Sequence, residues 1–380
     1  MGIPAVSAVA STKYPVRVAR EVESVRTRLP GPAAGLVFVC GELTERLDDL
    51  AERLSHAALE APLLLVPGAG VVSDHGDGDG NDAAAIILWS GGTADVAVAR
   101  APSEAPPMAT LGASVRGVGR SPAPACAVFT RPDGVREHAV DTNRVAEFAN
   151  VAFGAATADG SNVFGVEQDG RVVSGASAAL LIRGLGVPRI ASASAARLIS
   201  RYEPITETEG PHVLRIGQRP ALEVLAAASN PGIEGSLLLA ALGSEGPPNE
   251  DEHDPLDLRP IRGVDPARGS VVLAPPPPCG QLIAFAVRDP SDARRRLDLA
   301  LRAVQRAAAG AAPRFALCIH GPPPASFELG ARGGDIRLLR TRLPGIPFAG
   351  IRSNWQLGTI SGRCIFTQHS AFAAVFTSPS

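Results

Sequence analysis

The chain has 380 residues, 45% hydrophobic and 19% charged, with a formal net charge of −2. It is longer than one typical domain of roughly 100–200 residues, and its hydrophobic share suits a globular core. The near-balanced charge leaves no electrostatic footprint for nucleic acid or an anionic membrane, so neither is expected as a partner.

Single residue types exclude more. No run approaches the roughly 18 apolar residues that span a bilayer. The opening MGIPAVSAVASTKYPVR lacks the basic region of a secretory signal, so a cytoplasmic location is the expectation. Cys40, Cys126, Cys279, Cys318 and Cys364 never form CxxC, which argues against a disulfide framework or a zinc knuckle and for free, mostly buried thiols. Lys13 is the only lysine and is expected in a mobile N-terminal segment, so Schiff-base and P-loop lysine chemistry drop out. No metal or cofactor is expected.

In chain order, Val18, Val22, Val25 and Leu29 fall on one face of a helix that Pro30-Gly31 stops. Gly35 to Cys40 reads as a buried strand. Leu43, Leu47, Leu50 and Leu54 mark a second helix, ending near Leu59, and PLLLV from Pro62 a second buried strand. Pro67-Gly68-Ala69-Gly70 is a tight turn. DHGDGDGND from Asp74 alternates acids as a calcium loop would, but Asp82 and Leu88 stand where glycine and a bidentate glutamate belong, so it reads as an acidic hairpin tip. Ala83 to Trp89 is another strand.

The middle is harder to read. Ala101 to Ala125 is expected to be an exposed connection. A hairpin is expected around Pro132-Asp133-Gly134, and a helix capped by Asn143 carrying Val145, Phe148 and Val151. Hairpins are also expected around Gln168-Asp169-Gly170 and Glu209-Gly210, with a helix starting at Pro220. Asn230 to Arg259, which holds GSEGPPNEDEHD, reads as a polar insertion. SVVLA and QLIAFAV are strands flanking Pro275 to Pro278. Ser291 caps a helix with Leu297, Leu301, Val304 and Ala308 on one face; Arg294-Arg295-Arg296 on it read as a solvated face.

From there the N-terminal order returns: helix, strand Phe315 to Ile319, helix with Ile336, Leu339 and Leu343, strand Pro347 to Ile351, turn, then strands Cys364 to Phe366 and Phe372 to Phe376. The sequence therefore predicts an α/β (α+β) fold, internally duplicated, with mixed β-sheets covered by helices in α-β-β-α layers.

Catalytic patterns are missing: there is no GxSxG, HExxH or GxxxxGK, and no complete GxGxxG opening a helix. Polar residues at strand ends carry more weight, because ligands gather there in helix-covered sheets. These are His320 after PRFALCI, and Asn354, Trp355 and Gln356 after IPFAGIRS. Cys318 alternates into the sheet as core. No acid–base pair can be assembled from spacing.

Five stretches, in order, resemble the FIST family, named for F-box and intracellular signal transduction proteins. They are GLVFVCGELTERLDDLAERL with PLLLVPGAGVVSD; SAARLISRYEPITETEGPHVLRIGQRPALEVL; PLDLRPIRGVDPARGSVVL; PRFALCIHG; and GIPFAGIRSNWQLGTI. The resemblance implies an N-terminal part at 18–218 and a C-terminal part at 219–377, without an F-box. It implies a sensory, signal-transducing module that binds a small ligand such as an amino acid, with a signalling protein as partner and no catalytic activity. The leading expectation is a ligand-sensing module whose two halves enclose a cleft, with Gly68, Ala69, Gly70, Arg197, His320, Asn354, Trp355 and Gln356 near its mouth. The chain departs from the family at Ile319-His320-Gly321-Pro322-Pro323, where Ser-Cys-x-Gly-Arg is usual. It departs again at Trp355-Gln356-Leu357 in place of Gly-Glu-Ile, and at Ala196 in place of a cysteine. Charge-assisted contacts to a zwitterion are thereby lost. The competing readings are an interaction scaffold without a small ligand, and a hydrolase or transferase, which would need a nucleophile beside His320.

Overall fold

Apolar runs bounded by glycine and proline become strands, and amphipathic segments become the helices that cover them. The computed structural model describes residues 5–29, 31–56, 61–77, 82–99, 123–132, 149–158, 160–229, 237–243, 257–274, 277–307, 311–321, 334–360, 363–368 and 370–379.

The first repeat runs β1 (Ala5–Ser11), α1 (Pro15–Arg28), β2 (Pro32–Cys40), a 3-10 turn at Gly41–Arg46, α2 (Leu47–His56), β3 (Leu63–Pro67), β4 (Gly70–Ser73), β5 (Gly76–Asp77) and β6 (Ala83–Ser90). The second repeat is β7 (Thr93–Ala99), β8 (Ala123–Thr130), β9 (Ala149–Ala156), β10 (Val163–Val166), β11 (Val172–Gly175) and β12 (Ser177–Arg183). The third opens with β13 (Arg189–Ser194) and is then interrupted. The interruption is β14 (Ala196–Leu198), β15 (Glu203–Glu209), β16 (His212–Ile216), β17 (Arg219–Pro220), α3 (Ala221–Ala228), β18 (Leu238–Gly243), β19 (Asp257–Asp265), β20 (Ser270–Leu273) and β21 (Leu282–Arg288). The repeat resumes with α4 (Pro290–Ala307), β22 (Pro313–His320), α5 (Gly334–Arg342), β23 (Phe348–Arg352), β24 (Gln356–Ile360), β25 (Arg363–Thr367) and β26 (Ser370–Thr377).

Three six-stranded sheets result, ordered β1-β6-β2-β3-β10-β11, β7-β12-β8-β9-β24-β25 and β13-β26-β22-β23-β4-β5. The order of roles is the same in each. The central pair is parallel (β2 with β3, β8 with β9, β22 with β23) and every other neighbour is antiparallel. Each repeat lends its hairpin to another sheet: β4 pairs with β23, β24 with β9, and β10 with β3. The three sheets thus form a closed cycle with pseudo-threefold symmetry.

Strand periodicity explains the packing, since alternate residues point to opposite faces. Inward residues of all three sheets share one core that includes Leu36, Phe38, Trp89, Phe129, Phe153, Phe315, Ile351 and Phe376. Trp89 stacks on Phe315 at 4.9 Å and Phe315 on Phe376 at 4.6 Å between ring centroids. Such a buried ring costs roughly 3–5 kcal/mol when truncated to alanine. Outward faces pack separately: α1 and α2 cover the first sheet, and α4 and α5 cover the third. On the second, Trp355 joins Cys126, Val128 and Leu181.

The insertion forms its own antiparallel sheet, ordered β14-β21-β15-β16-β20-β19-β18, and β18 pairs back onto β21 to close it. Ile205, Val213, Val271 and Phe285 fill it, with Val224 and Leu225 of α3. The expected boundary at 218/219 falls inside this closed sheet, between β16 and β17. The topology breaks instead at Ser194–Ala196 and after Arg288.

The mixed α/β class is as expected, and the echo between the two ends is there. The duplication is one pair out of three equivalent units, because β7 to β12 supply a third. Other expectations change locally. The N-terminal segment holds strand β1, and Lys13 lies 3.3 Å from Glu42. Val151 lies in β9, not a helix, and β8 pairs in parallel with β9, while the second arm of the expected hairpin near Val135 lies outside the described residues. β18 occupies part of the supposed polar insertion. Asp289, not Ser291, caps α4, accepting from the backbone N–H groups of Ser291 and Asp292, both at 3.1 Å. The acidic tip at 78–81, the connection at 101–122, the turn and helix at 133–148 and the polar run at 244–256 lie outside the described residues.

Candidate functional site

The three sheets interlock where their parallel strands end, because each chain leaves one sheet there to enter another. Gly68 N donates to Val39 O at 2.8 Å, Thr157 N to Thr130 O at 2.7 Å, and Ser353 N to His320 O at 2.9 Å. These three bonds are equivalent under the pseudo-symmetry. Cross-links between sheets join them: Ala69 N to Arg352 O at 3.0 Å, Ala158 N to Pro67 O at 3.1 Å, and Ser353 Oγ to Ala156 O at 2.5 Å. Gly68 is required at this crossing, since a Cβ there would stand 2.2 Å from Ile351 Cγ1.

In register, the last pairs of the three parallel couples are Val39 with Pro67, Thr130 with Ala156, and His320 with Arg352. Only the third pair carries ionisable side chains. Ala316, Cys318 and His320 alternate toward the helix layer, so His320 meets the first turn of α5. There His320 Nδ1 lies 2.8 Å from Asp335 Oδ2, and Arg352 Nη2 lies 3.1 Å from the same oxygen. All three residues are buried, at 2–3% exposure.

Electrostatics fixes the protonation of this cluster at Asp335. Burial alone pushes its carboxyl up, but His320 against it, then Arg352 and the Ile336 N–H at 2.9 Å, reverse that and hold it well below the carboxylate range. An ionised carboxylate only accepts, so Nδ1 is the His320 nitrogen that faces it as a donor at ion-pair distance. His320 Nε2 is buried and has no hydrogen-bond partner among the described residues, whereas Asp335 Oδ2, likewise without a hydrogen bond there, is held by the two ion-pair contacts. Buried polar atoms are usually satisfied, and an orphan in a native fold calls for a partner. Cys318 beside it is fully buried, its thiol pushed far up by burial and then by Asp335 and Asp74, which suits core and not a nucleophile.

The candidate residues divide three ways. Gly68, Ala69, Gly70 and His320 meet at this junction, with Gly70 paired to Arg352 across β4 and β23. The Gly68 and Ala69 N–H groups are spent on backbone carbonyls, so the turn is structural and cradles no phosphate. Gln356 is also nearby and fully buried, its Nε2 donating to Ser353 O and its Oε1 accepting from Ser370 N at 3.1 Å. Trp355 faces the outer side of the second sheet, with Arg259 5.7 Å from its ring centre. Asn354 is exposed. Arg197 lies on β14, half-exposed and 3.3 Å from Asp289, outside the junction's hydrogen bonds.

Neither the protein-family models nor the curated proteins compared with the chain give a match. The site therefore rests on its own geometry.

Spacing had missed Asp335, Arg352 and Ser353. Arg352 was legible in one respect, as the charge that ends the apolar run PFAGI. Asp335 carried no such mark, because the residue that precedes Ile336 looks like any first-turn acid favoured by the helix dipole. Among the described residues no group of His, Cys, Asp and Glu could hold a metal. No helix among them is long and apolar enough to cross a membrane.

Proposed function

We propose that this chain is a cytoplasmic sensory module that binds a small polar ligand, an amino acid or related metabolite, at the His320–Asp335–Arg352 end of the third sheet. The observation that carries the reading is the Nε2 of His320, buried and without a hydrogen-bond partner among the described residues. Asp335 orients the ring, so a ligand group that hydrogen-bonds Nε2 meets a pre-set geometry and loses little entropy on ordering it. The wide resemblance to the FIST family points to the same class of function, with a signalling protein as the downstream partner. The ligand position differs from the cleft expected between two halves. Aromatic side chains fill the described space between the sheets, and the polar groups gather at one end.

A binding role fits better than catalysis, because no Ser, Thr or Cys side chain among the described residues bonds His320 Nε2. Thermal-shift screening against amino acids and small carboxylates tests the proposal. A ligand present at 100 times its Kd adds about 2.7 kcal/mol of stability, and that gain should vanish in His320→Phe. No stabilisation of the wild type at millimolar ligand would count against it.

A further inference from the structure

Between α4 and α5 runs a groove of about 630 Å³, lined by Ser291, Arg294, Arg295, Asp298, Arg337 and Arg342, with Leu338 and Thr341. Its charges are unequally compensated. Arg295 is paired with Asp292 at 2.6 Å, and Arg342 with Asp298. Arg294 and Arg337 have no ion-pair partner among the described residues. They stand on opposite walls, one from each helix. Arg294 and Arg295 are exposed, as expected of a solvated face, and Arg337 joins them from another helix.

We propose that this groove binds a small organic phosphate bearing at least two negative charges. The volume falls in the range of roughly 300–1,000 Å³ that holds small molecules. Two guanidinium forks, one from each helix and neither with an ion-pair partner among the described residues, can match phosphate oxygens bidentately, which ammonium groups do not. Leu338 supplies an apolar surface for the organic part, while the Ser291 and Thr341 hydroxyls already donate to Asp289 Oδ1 at 2.6 Å and Arg337 O at 2.8 Å and leave the arginines as the donors. An acidic protein segment offers the same sign of charge, but one guanidinium on each wall favours a compact dianion over an extended chain.

Inorganic pyrophosphate is the probe, titrated by calorimetry into the full chain at low ionic strength. Saturable one-to-one binding is expected, weakening as salt is raised. Arg294→Gln with Arg337→Gln should lower the affinity about tenfold or more, because both charged hydrogen-bond donors are removed. The exposed Arg262→Gln control and His320→Phe should leave it unchanged, which separates this site from the junction. Arg294→Lys with Arg337→Lys keeps the charge and fold and should recover only part of the affinity. Absence of binding, equal loss in Arg262→Gln, or an unchanged constant in the double glutamine variant would overturn the proposal. Binding of polyglutamate but not of pyrophosphate would overturn it too, assigning the groove to an acidic protein segment.

Discussion

The ends of β2–β3 and of β22–β23 are the same place in two copies of one unit, and they differ in chemistry. The backbone bonds match: Gly68 N to Val39 O in the first, Ser353 N to His320 O in the third. At the first, Val39 and Pro67 pack under α1 and α2 as ordinary core. At the third, the equivalent positions are a buried histidine and arginine clamped by a carboxylate of the covering helix. The scaffold thus needs only an apolar pair there, and the charged cluster is an addition that the fold itself does not require. Buried ion pairs are weak contributors to stability relative to well-packed apolar residues, so a cluster retained in one copy alone speaks for a function.

Breaking the cluster gives the largest expected effect. Asp335→Asn leaves Arg352 and His320 without their carboxylate and should cost about 3–5 kcal/mol in urea unfolding. Val39→Ala, at the equivalent apolar position, should cost about 2–3 kcal/mol. A cost for Asp335→Asn at or below that of Val39→Ala would mean that the clamp is not coupled as its distances imply.

Acid sharpens the same contrast. The carboxyl of Asp335 sits below its ordinary value of 3.8 in the folded state. The unfolded chain therefore takes up the proton first as pH falls. The stability from the clamp is fully present above that ordinary value and is lost as pH drops from it toward the folded value. Urea midpoints measured from pH 6 to pH 3 should fall more steeply for the wild type than for Asp335→Asn. Parallel curves would place the charge elsewhere.

Much of this fold was legible because periodicity and punctuation survive in it. Leu43, Leu47, Leu50 and Leu54 announced α2, and PRFALCIH announced β22. The echo of the two ends was visible because both copies keep two helices between their buried strands. The middle copy escaped because its strands are alanine-rich: TADVAVA, APACAVFT and ANVAFGAA have little β-branched signal, and much of their pairing is with strands far along the chain. The site was half legible for the same kind of reason. His320 ends an apolar strand and stands out, whereas Asp335 is brought to it by a parallel crossover that no local spacing encodes. Arg197 was drawn in by resemblance, and the fold puts it on the inserted sheet.

The crossing glycine offers a smaller perturbation. Gly68→Ala places a Cβ against Ile351 and should cost about 1–3 kcal/mol, through overpacking at the junction. Because Ile351 precedes Arg352, the same variant should weaken ligand binding without touching the cluster. Smallest of all, Thr130→Val removes the hydroxyl pair with Ser177 at 2.5 Å in the second copy and should cost about 1 kcal/mol. Ligand binding should be unaffected by it.

The most direct measurement observes His320 itself. Imidazole ¹⁵N resonances of the labelled chain, recorded while an amino-acid mixture is titrated to millimolar concentration, report each ring nitrogen separately. The Nε2 signal of His320 is expected to shift saturably while those of the exposed His56 and His75 stay in place. Movement of the exposed histidines alone, or of none, would contradict it.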